Sequence, residues 1–136
     1  MFVRLAVALT ATTLFAPSAI AQATAPVDKF YDALRKADGE AIASVLADDA
    51  VIRLADLGFD MSAEEFVDSM DMWSELAPNL TMRVKEGEGS GGETVVKIVC
   101  YDFGTNQSMT RETSTVVDGK ITANTQEELA ESCEGF

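Results

Sequence analysis

The feature that most constrains the fold is a change in apolar periodicity at Pro78. Before Pro78, apolar residues recur every three or four positions, as on one face of a helix. After it, they alternate with polar residues or form one continuous run, as in strands. Because the predicted helices lie in the first half of the 136 residues and most of the strands follow them, the pattern predicts one α+β domain without internal repeats.

Three helices are predicted in the first half of the chain. The first starts at Val27, with Pro26 in its first turn and apolar residues along one side. A second, short helix follows Asp38, whose side chain can cap it. The third opens at the capping box Ser62-Ala63-Glu64-Glu65 and stops before Pro78.

One short strand, 50–54, is expected between the second and third helices. Four antiparallel strands then follow, at 80–84, 94–103, about 107–117 and from 120 to near 126. The run 94–103 is apolar on both faces and is predicted to be the central strand. The segment 86–92 holds four glycines and is predicted to be a flexible hairpin tip. We expect a cone-shaped, barrel-like fold in which a curved antiparallel sheet packs on three helices and leaves a cavity.

The first 21 residues have the order of a secretory signal peptide. Arg4 precedes a short apolar core, and Ala19-Ile20-Ala21 offers small residues for a signal peptidase. The core spans about a dozen residues, too few to remain as a membrane span. We therefore expect a signal peptide at 1–21, a single mature domain at 22–136, and a secreted or periplasmic location.

Cys100 and Cys133 are the two cysteines of the chain. In an oxidising compartment an isolated pair usually forms a disulfide, which here would fix the acidic C-terminal tail to the apolar strand. The alternative is two unpaired thiols, with Cys100 filling the core.

Composition excludes several classes of function. Twenty-three acidic residues against ten basic ones give a net charge of −13, which repels nucleic acid and anionic lipid. The absence of histidine excludes Ser-His and Cys-His nucleophile pairs and zinc sites that use histidine. No metal site and no cofactor are predicted.

Four stretches carry a resemblance to a known superfamily. They are Phe30-Tyr31-Asp32-Ala33-Leu34, Asp38-Gly39-Glu40-Ala41-Ile42, Leu46-Ala47-Asp48-Asp49-Ala50-Val51-Ile52 and Val117-Asp118-Gly119-Lys120-Ile121. Over residues 26 to 126 the chain resembles the nuclear transport factor 2-like superfamily, which includes ketosteroid isomerase and the SnoaL polyketide cyclases. The resemblance implies the cone-shaped fold and leaves the activity open.

The comparison with ketosteroid isomerase reaches individual positions. The resemblance places Phe30 where that family has a tyrosine donor, and Leu54 where it has the aspartate that moves the proton. A second oxyanion donor falls near Thr113 in a looser alignment. Because a phenyl ring cannot donate a hydrogen bond and an alkyl chain cannot carry a proton, that mechanism is excluded and catalysis is not expected.

Two acids are candidates for a different general base. Asp102 ends the apolar strand and either has a raised pKa in an apolar mouth or reaches solvent or a basic partner. Asp56 lies in the loop before the third helix, where it either contributes to a pocket or is simply solvated. Candidate ligand-binding residues, which are alternatively core or surface residues, are Phe30, Tyr31, Leu54, Trp73, Tyr101 and Arg111.

These observations favour an exported domain that binds a small hydrophobic molecule or a protein partner in an apolar cavity, without an assignable catalytic group. One alternative is a SnoaL-like isomerase, cyclase or hydrolase that uses Asp102 or Asp56 as general base. Another is a structural or assembly module that forms a homodimer through the sheet.

Overall fold

A computed structural model describes residues 12–16 and 18–136. Its helices are α1 (Ala19–Arg35), α2 (Gly39–Val45), α3 (Ala63–Asp68) and α4 (Met70–Leu76). None of these described helices combines the length and the apolar character that crossing a membrane requires. Residues 1–11 and 17, which make up most of the predicted signal peptide, lie outside the described residues, so that peptide stays a prediction.

Six strands form one curved sheet. They are β1 (Leu46–Leu54), β2 (Phe59–Ser62), β3 (Thr81–Glu86), β4 (Thr94–Asp102), β5 (Gln107–Val117) and β6 (Lys120–Ala130), in the order β2-β1-β6-β5-β4-β3. All neighbours are antiparallel except β1 and β6, which are parallel. The predicted α+β class and the four consecutive antiparallel strands are confirmed.

Strand details differ from the sequence prediction. The four-residue strand β2 was not predicted, because it is too short to show a period. β1 begins at Leu46 and β6 continues to Ala130, since long-range pairing extends both beyond their apolar cores. The run predicted to be the central strand is β4, which is second from one edge.

Helix boundaries also differ. The first helix begins at Ala19, not at Val27, because Ser18 caps it and the alanine-rich stretch that follows favours a helix. Pro26 therefore lies inside α1. The third predicted helix is interrupted at Ser69, whose backbone ends α3 and begins α4. The capping box at Ser62 is confirmed: its hydroxyl accepts from the Glu65 N–H.

The core lies between α1 and the concave face of the sheet. Val27, Phe30 and Leu34 recur on one side of α1 and are buried there. They form one apolar cluster with the inward side chains of β4, such as Val95 and Val99. β4 thus has one of its two buried faces against the helices.

The glycine-rich segment 87–92 covers the other face of β4. The Gly87 N–H donates to the Val96 carbonyl at 2.9 Å, and the Val96 N–H donates to the Ser90 hydroxyl at 2.8 Å. A Cβ atom at Gly87 would lie 2.7 Å from Cγ1 of Val96, so glycine permits this approach. The segment predicted to be a flexible tip is packed on the sheet.

The C-terminal tail covers the rest of that face. The predicted disulfide is confirmed: it joins Cys100, which is fully buried on β4, to Cys133. The tail then places the Phe136 ring against two cations of β3, with Arg83 and Lys85 each 4.6 Å from the ring centroid. Both faces of β4 are therefore covered: one by the helices, the other by the segment that directly precedes the strand and by the C-terminal tail.

Reduction of the disulfide is expected to destabilise the fold. The bridge spans 33 residues, which corresponds to about 3–4 kcal/mol of unfolding free energy in the chain-entropy account. Urea denaturation with and without reductant measures the loss. The double variant Cys100→Ala/Cys133→Ala is the control, because its stability must not respond to reductant; an unchanged midpoint for the reduced native chain would contradict the expectation.

Candidate functional site

A cavity of about 370 Å³ lies between the α3–α4 segment and the concave face of the sheet. Its lining is mainly apolar: Leu34, Leu54, Met61, Phe66, Met70, Met72, Trp73, Leu76, Tyr101 and Phe103. Four polar residues complete it: Ser69, Ser108, Thr110 and Gln126. Among the residues that the structure describes, no lysine, arginine or carboxylate lines this cavity. Its chemistry suits a compact apolar molecule with few hydrogen-bonding groups.

Three aromatic rings form one wall of the cavity. The Trp73 ring meets Tyr101 and Phe103 edge to face, with centroid separations of 6.1 and 6.2 Å. The Trp73 indole N–H donates to the Leu34 carbonyl at 2.8 Å, which ties α4 to the end of α1. This hydrogen bond fixes the orientation of the indole, so the wall has a defined shape.

Behind that wall lies a buried carboxyl, Glu112 of β5, which is fully inaccessible. The Tyr31 hydroxyl donates to its Oε2 at 2.7 Å, and the Tyr101 hydroxyl donates to its Oε1 at 2.6 Å. The Thr110 hydroxyl also contacts Oε1, at 2.9 Å. Tyr101 and Thr110 line the cavity, so they connect it to a carboxyl that the cavity does not reach directly.

Burial controls the titration of this group. It raises the pKa of Glu112, against the opposing effect of the hydroxyl groups of Tyr101, Tyr31 and Thr110. Burial, followed by the charge of Glu112, raises the pKa of Tyr31 and of Tyr101 well above the ordinary value. Both tyrosines therefore remain hydrogen-bond donors over the whole physiological pH range.

A second series of hydrogen-bonded polar side chains reaches the cavity from the neighbouring strand, β6. The Gln126 amide donates to Oδ1 of Asn124 at 3.1 Å, and the Asn124 amide donates to the Ser114 hydroxyl at 2.9 Å. Asn124 and Ser114 are buried, while Gln126 lines the cavity. These contacts hold the Gln126 side chain at the cavity wall.

The structure brings three of the six candidate ligand-binding residues to the cavity, namely Leu54, Trp73 and Tyr101. Phe30 is fully buried in the core, stacked on Phe66 and edge-on to Tyr31. Tyr31 contacts Glu112 behind the cavity wall. Arg111 is on the opposite face of the sheet, where its guanidinium donates to the Glu88 carbonyl at 2.9 Å.

The two candidate bases lie outside the cavity lining. Asp102 ends β4 and accepts from the Gly104 N–H at 2.8 Å and from the Gln107 amide at 2.9 Å. These hydrogen bonds lower the pKa of Asp102, so the alternative in which an apolar mouth raises it is wrong. Asp56 accepts from the Glu128 N–H beside the cavity.

Sequence reasoning missed Glu112. The pattern of β5 places Ser108, Thr110, Glu112 and Ser114 on the face toward the helices, opposite the row that contains Arg111. The available signal was a charged residue at alternate spacing with small polar ones; in the sheet Ser108, Thr110 and Glu112 are in register with Tyr101, Val99 and Lys97 of β4. Glu112 also directly precedes Thr113, the position suggested by the looser alignment.

The buried carboxyl should make stability depend on pH. Because folding raises the pKa of Glu112, this group keeps its proton to higher pH in the folded chain than in the unfolded chain. Its contribution to the unfolding free energy therefore falls as pH rises above about 4.5, the ordinary glutamate value. Glu112→Gln removes this titrating carboxyl, so the stability of the variant relative to the native chain should rise as pH increases. Urea denaturation between pH 4 and 8 measures the difference.

The matched variant is Tyr31→Phe, which keeps the carboxyl and removes one donor to it. Since that donor lowers the pKa of Glu112, its loss should extend the fall in stability to higher pH. A difference between Glu112→Gln and the native chain that is independent of pH would contradict this account.

Comparisons with known proteins identify the fold. No protein-family model matches the chain, and no curated protein matches it. Several solved structures are similar to the chain. An NTF2-like protein of unknown function from Mesorhizobium loti has a TM-score of 0.67 at 20% identity, over 88% of this chain and 100% of that one.

Two further structures are similar. An NTF-2 like protein of unknown function from Burkholderia xenovorans LB400 has a TM-score of 0.67 at 14% identity, over 79% of this chain and 83% of that one. An LEH-like epoxide hydrolase of M. tuberculosis has a TM-score of 0.58 at 20% identity, with the same coverages of 79% and 83%. At these identities the likeness concerns architecture alone. The chain therefore has the nuclear transport factor 2-like fold, as the sequence resemblance predicted.

Proposed function

We propose that this protein binds a small, mainly apolar molecule in the cavity between α3–α4 and the sheet. The observation that carries the proposal is a space of about 370 Å³ with ten apolar or aromatic side chains and four polar ones around it. Four of the ten are methionine or tryptophan, whose polarizable side chains adapt to the shape of an apolar guest.

Polar groups at one side give the cavity some selectivity. Ser108 and Thr110 of β5 and Gln126 of β6 all belong to the lining. The Thr110 hydroxyl is engaged with Glu112, and the Gln126 amide donates to Asn124. Because these contacts hold the side chains in place, a ligand with one hydrogen-bonding group meets them without reorganising the wall.

The catalytic alternative has less support. Asp102 accepts hydrogen bonds within the turn after β4, and within the described residues neither Asp102 nor Asp56 hydrogen-bonds to a tyrosine. Among the described residues, the carboxyl that contacts a cavity tyrosine is Glu112, which is sealed from the cavity by Tyr101 and Thr110. A general base must reach the proton that it removes, and Glu112 does not reach the cavity. This arrangement favours a binding function over proton transfer.

We also propose export, with the bound molecule encountered outside the cytoplasm. The support is the signal-peptide pattern of residues 1–21 together with the disulfide, a bond typical of oxidising compartments. The expected homodimer stays a prediction.

Partly filling the cavity should weaken binding. Leu54→Phe enlarges a side chain of the lining, and we expect it to weaken binding of the neutral fluorescent probe N-phenyl-1-naphthylamine by about tenfold, the loss of roughly 1.4 kcal/mol. Val51→Phe is the control, because Val51 is on the same strand but exposed and outside the lining. Equal loss in both variants, or no binding by the native chain, would refute the proposed site.

Export predicts a processed N-terminus. When the full chain is expressed in a bacterium with its own leader, the protein recovered outside the cytoplasm should begin at Gln22, as measured by intact mass. Processing would remove Ser18 and the first turn of α1, leaving Pro26 near the new helix start, where proline is favoured. Recovery of the unprocessed chain alone would contradict the predicted boundary.

A further inference from the structure

The cavity adjoins a second, smaller pocket of about 230 Å³. The two share Leu54, Thr110 and Gln126 in their linings. The second pocket adds Leu57 and two acidic residues, Asp56 and Glu128. We call this second pocket the acidic mouth. A molecule that occupies the apolar cavity and extends past the shared residues therefore meets two carboxylates.

Both carboxylates of the acidic mouth are held in place by neutral donors. The Asp56 carboxylate accepts the Glu128 N–H, and the Glu128 carboxylate accepts the Ser108 hydroxyl at 2.9 Å. Within residues 12–16 and 18–136, neither forms an ion pair. Ser108 also lines the apolar cavity, so the Glu128 carboxylate is directly linked to its wall.

Basic residues of the described chain are engaged elsewhere or absent from this region. In the part of the chain that the structure describes, no lysine or arginine contributes to the lining of the cavity or of the acidic mouth. Arg35, whose charge is felt at Tyr101, donates to Asp32 and to the Met82 carbonyl. Arg53 is bound in two contacts by Asp60. The charged side chains described at the mouth are therefore both acidic.

We propose that the ligand is an amphiphilic organic cation, with an apolar body in the cavity and an ammonium or amidinium group between Asp56 and Glu128 at the mouth. The inference rests on the proposed function: the cavity is what indicates a ligand, and the two carboxylates decide its charge. An anion would be repelled there, and a neutral guest would leave two oriented acceptors without a charged partner.

The position of the charge matters physically. An ammonium group deep among hydrocarbon side chains would lose its hydration without compensation. At the acidic mouth it keeps contact with water and gains charge-assisted hydrogen bonds, while the apolar part supplies the burial. The cavity and its mouth together thus fit an amphiphile better than a fully apolar molecule.

Three probes with one carbon skeleton separate the effects of charge and burial. They are 2-naphthylmethylamine, 2-naphthalenemethanol and 2-naphthoate, measured by calorimetry at pH 7 in low and high salt. We expect the amine to bind about tenfold more tightly than the alcohol, as one or two charge-assisted hydrogen bonds would give, and the naphthoate to bind most weakly. The advantage of the amine should shrink in high salt.

The double variant Asp56→Asn/Glu128→Gln tests whether these two residues are responsible. Its amide oxygens can still accept the Glu128 N–H and the Ser108 hydroxyl, so the fold is preserved; the melting temperature checks this. The ratio of amine to alcohol affinity should fall to about one, since neutral amides form weaker hydrogen bonds to an ammonium than carboxylates do. Glu127→Gln is the control for the loss of a nearby acidic charge outside the mouth: Glu127 is the preceding residue on β6, in register with Arg111 on the other face.

The outcomes distinguish this inference from the function on which it rests. Equal binding of alcohol and amine, or an amine preference that survives in the double variant, overturns the cationic ligand while the apolar cavity stands. Failure of all three probes to bind overturns both. A preference for the amine that is lost in the double variant and kept in Glu127→Gln supports the inference.

Discussion

The structure depends on the burial of one carboxyl group, Glu112, against three hydroxyl groups. Tyr31 comes from α1, Tyr101 from β4 and Thr110 from β5, so a single side chain joins the first helix to the middle of the sheet. A buried carboxyl without these donors would be costly, and with them it fixes where the helix lies. This contact sets the inner limit of the cavity, because Tyr101 and Thr110 form its wall.

The opposite face of the sheet also has apolar side chains that other parts of the chain must cover. Val96 and Cys100 are apolar, point away from the helices and are buried. The glycine-rich segment covers the first, and the disulfide-linked tail covers the second. With one face closed in this way, the sheet can curve around α1 on the other and leave the wide end open between α4 and β5. The cavity is a consequence of curvature that the helices only partly fill.

Much of the fold could be predicted because it is encoded by local patterns. A few neighbouring residues are enough to predict each of three features: the capping box at Ser62, the alternation from Leu80 onward and the Asp118-Gly119 turn. The residues of the candidate site were harder to predict from the sequence. Leu54 and Trp73 do line the cavity, whereas Phe30 belongs to the core. The row of β5 that faces the helices contains Glu112, and the row with Arg111 lies on the opposite face. A shift of one residue in a strand exchanges its two faces, and nothing local specifies which face meets the helices.

The sequence by itself determined the α+β class, the cysteine pair, the acidic charge and the absence of imidazole chemistry, since composition and periodicity are properties of the chain alone. Tertiary structure alone decided that Glu112 is buried beneath Tyr101, and that Asp56 and Glu128, which are 72 residues apart, meet beside one cavity. The physical reason is that burial, and the proximity of charged side chains, depend on which strands become neighbours. The parallel pairing of β1 with β6 brings these two acids together and joins residues from opposite halves of the chain.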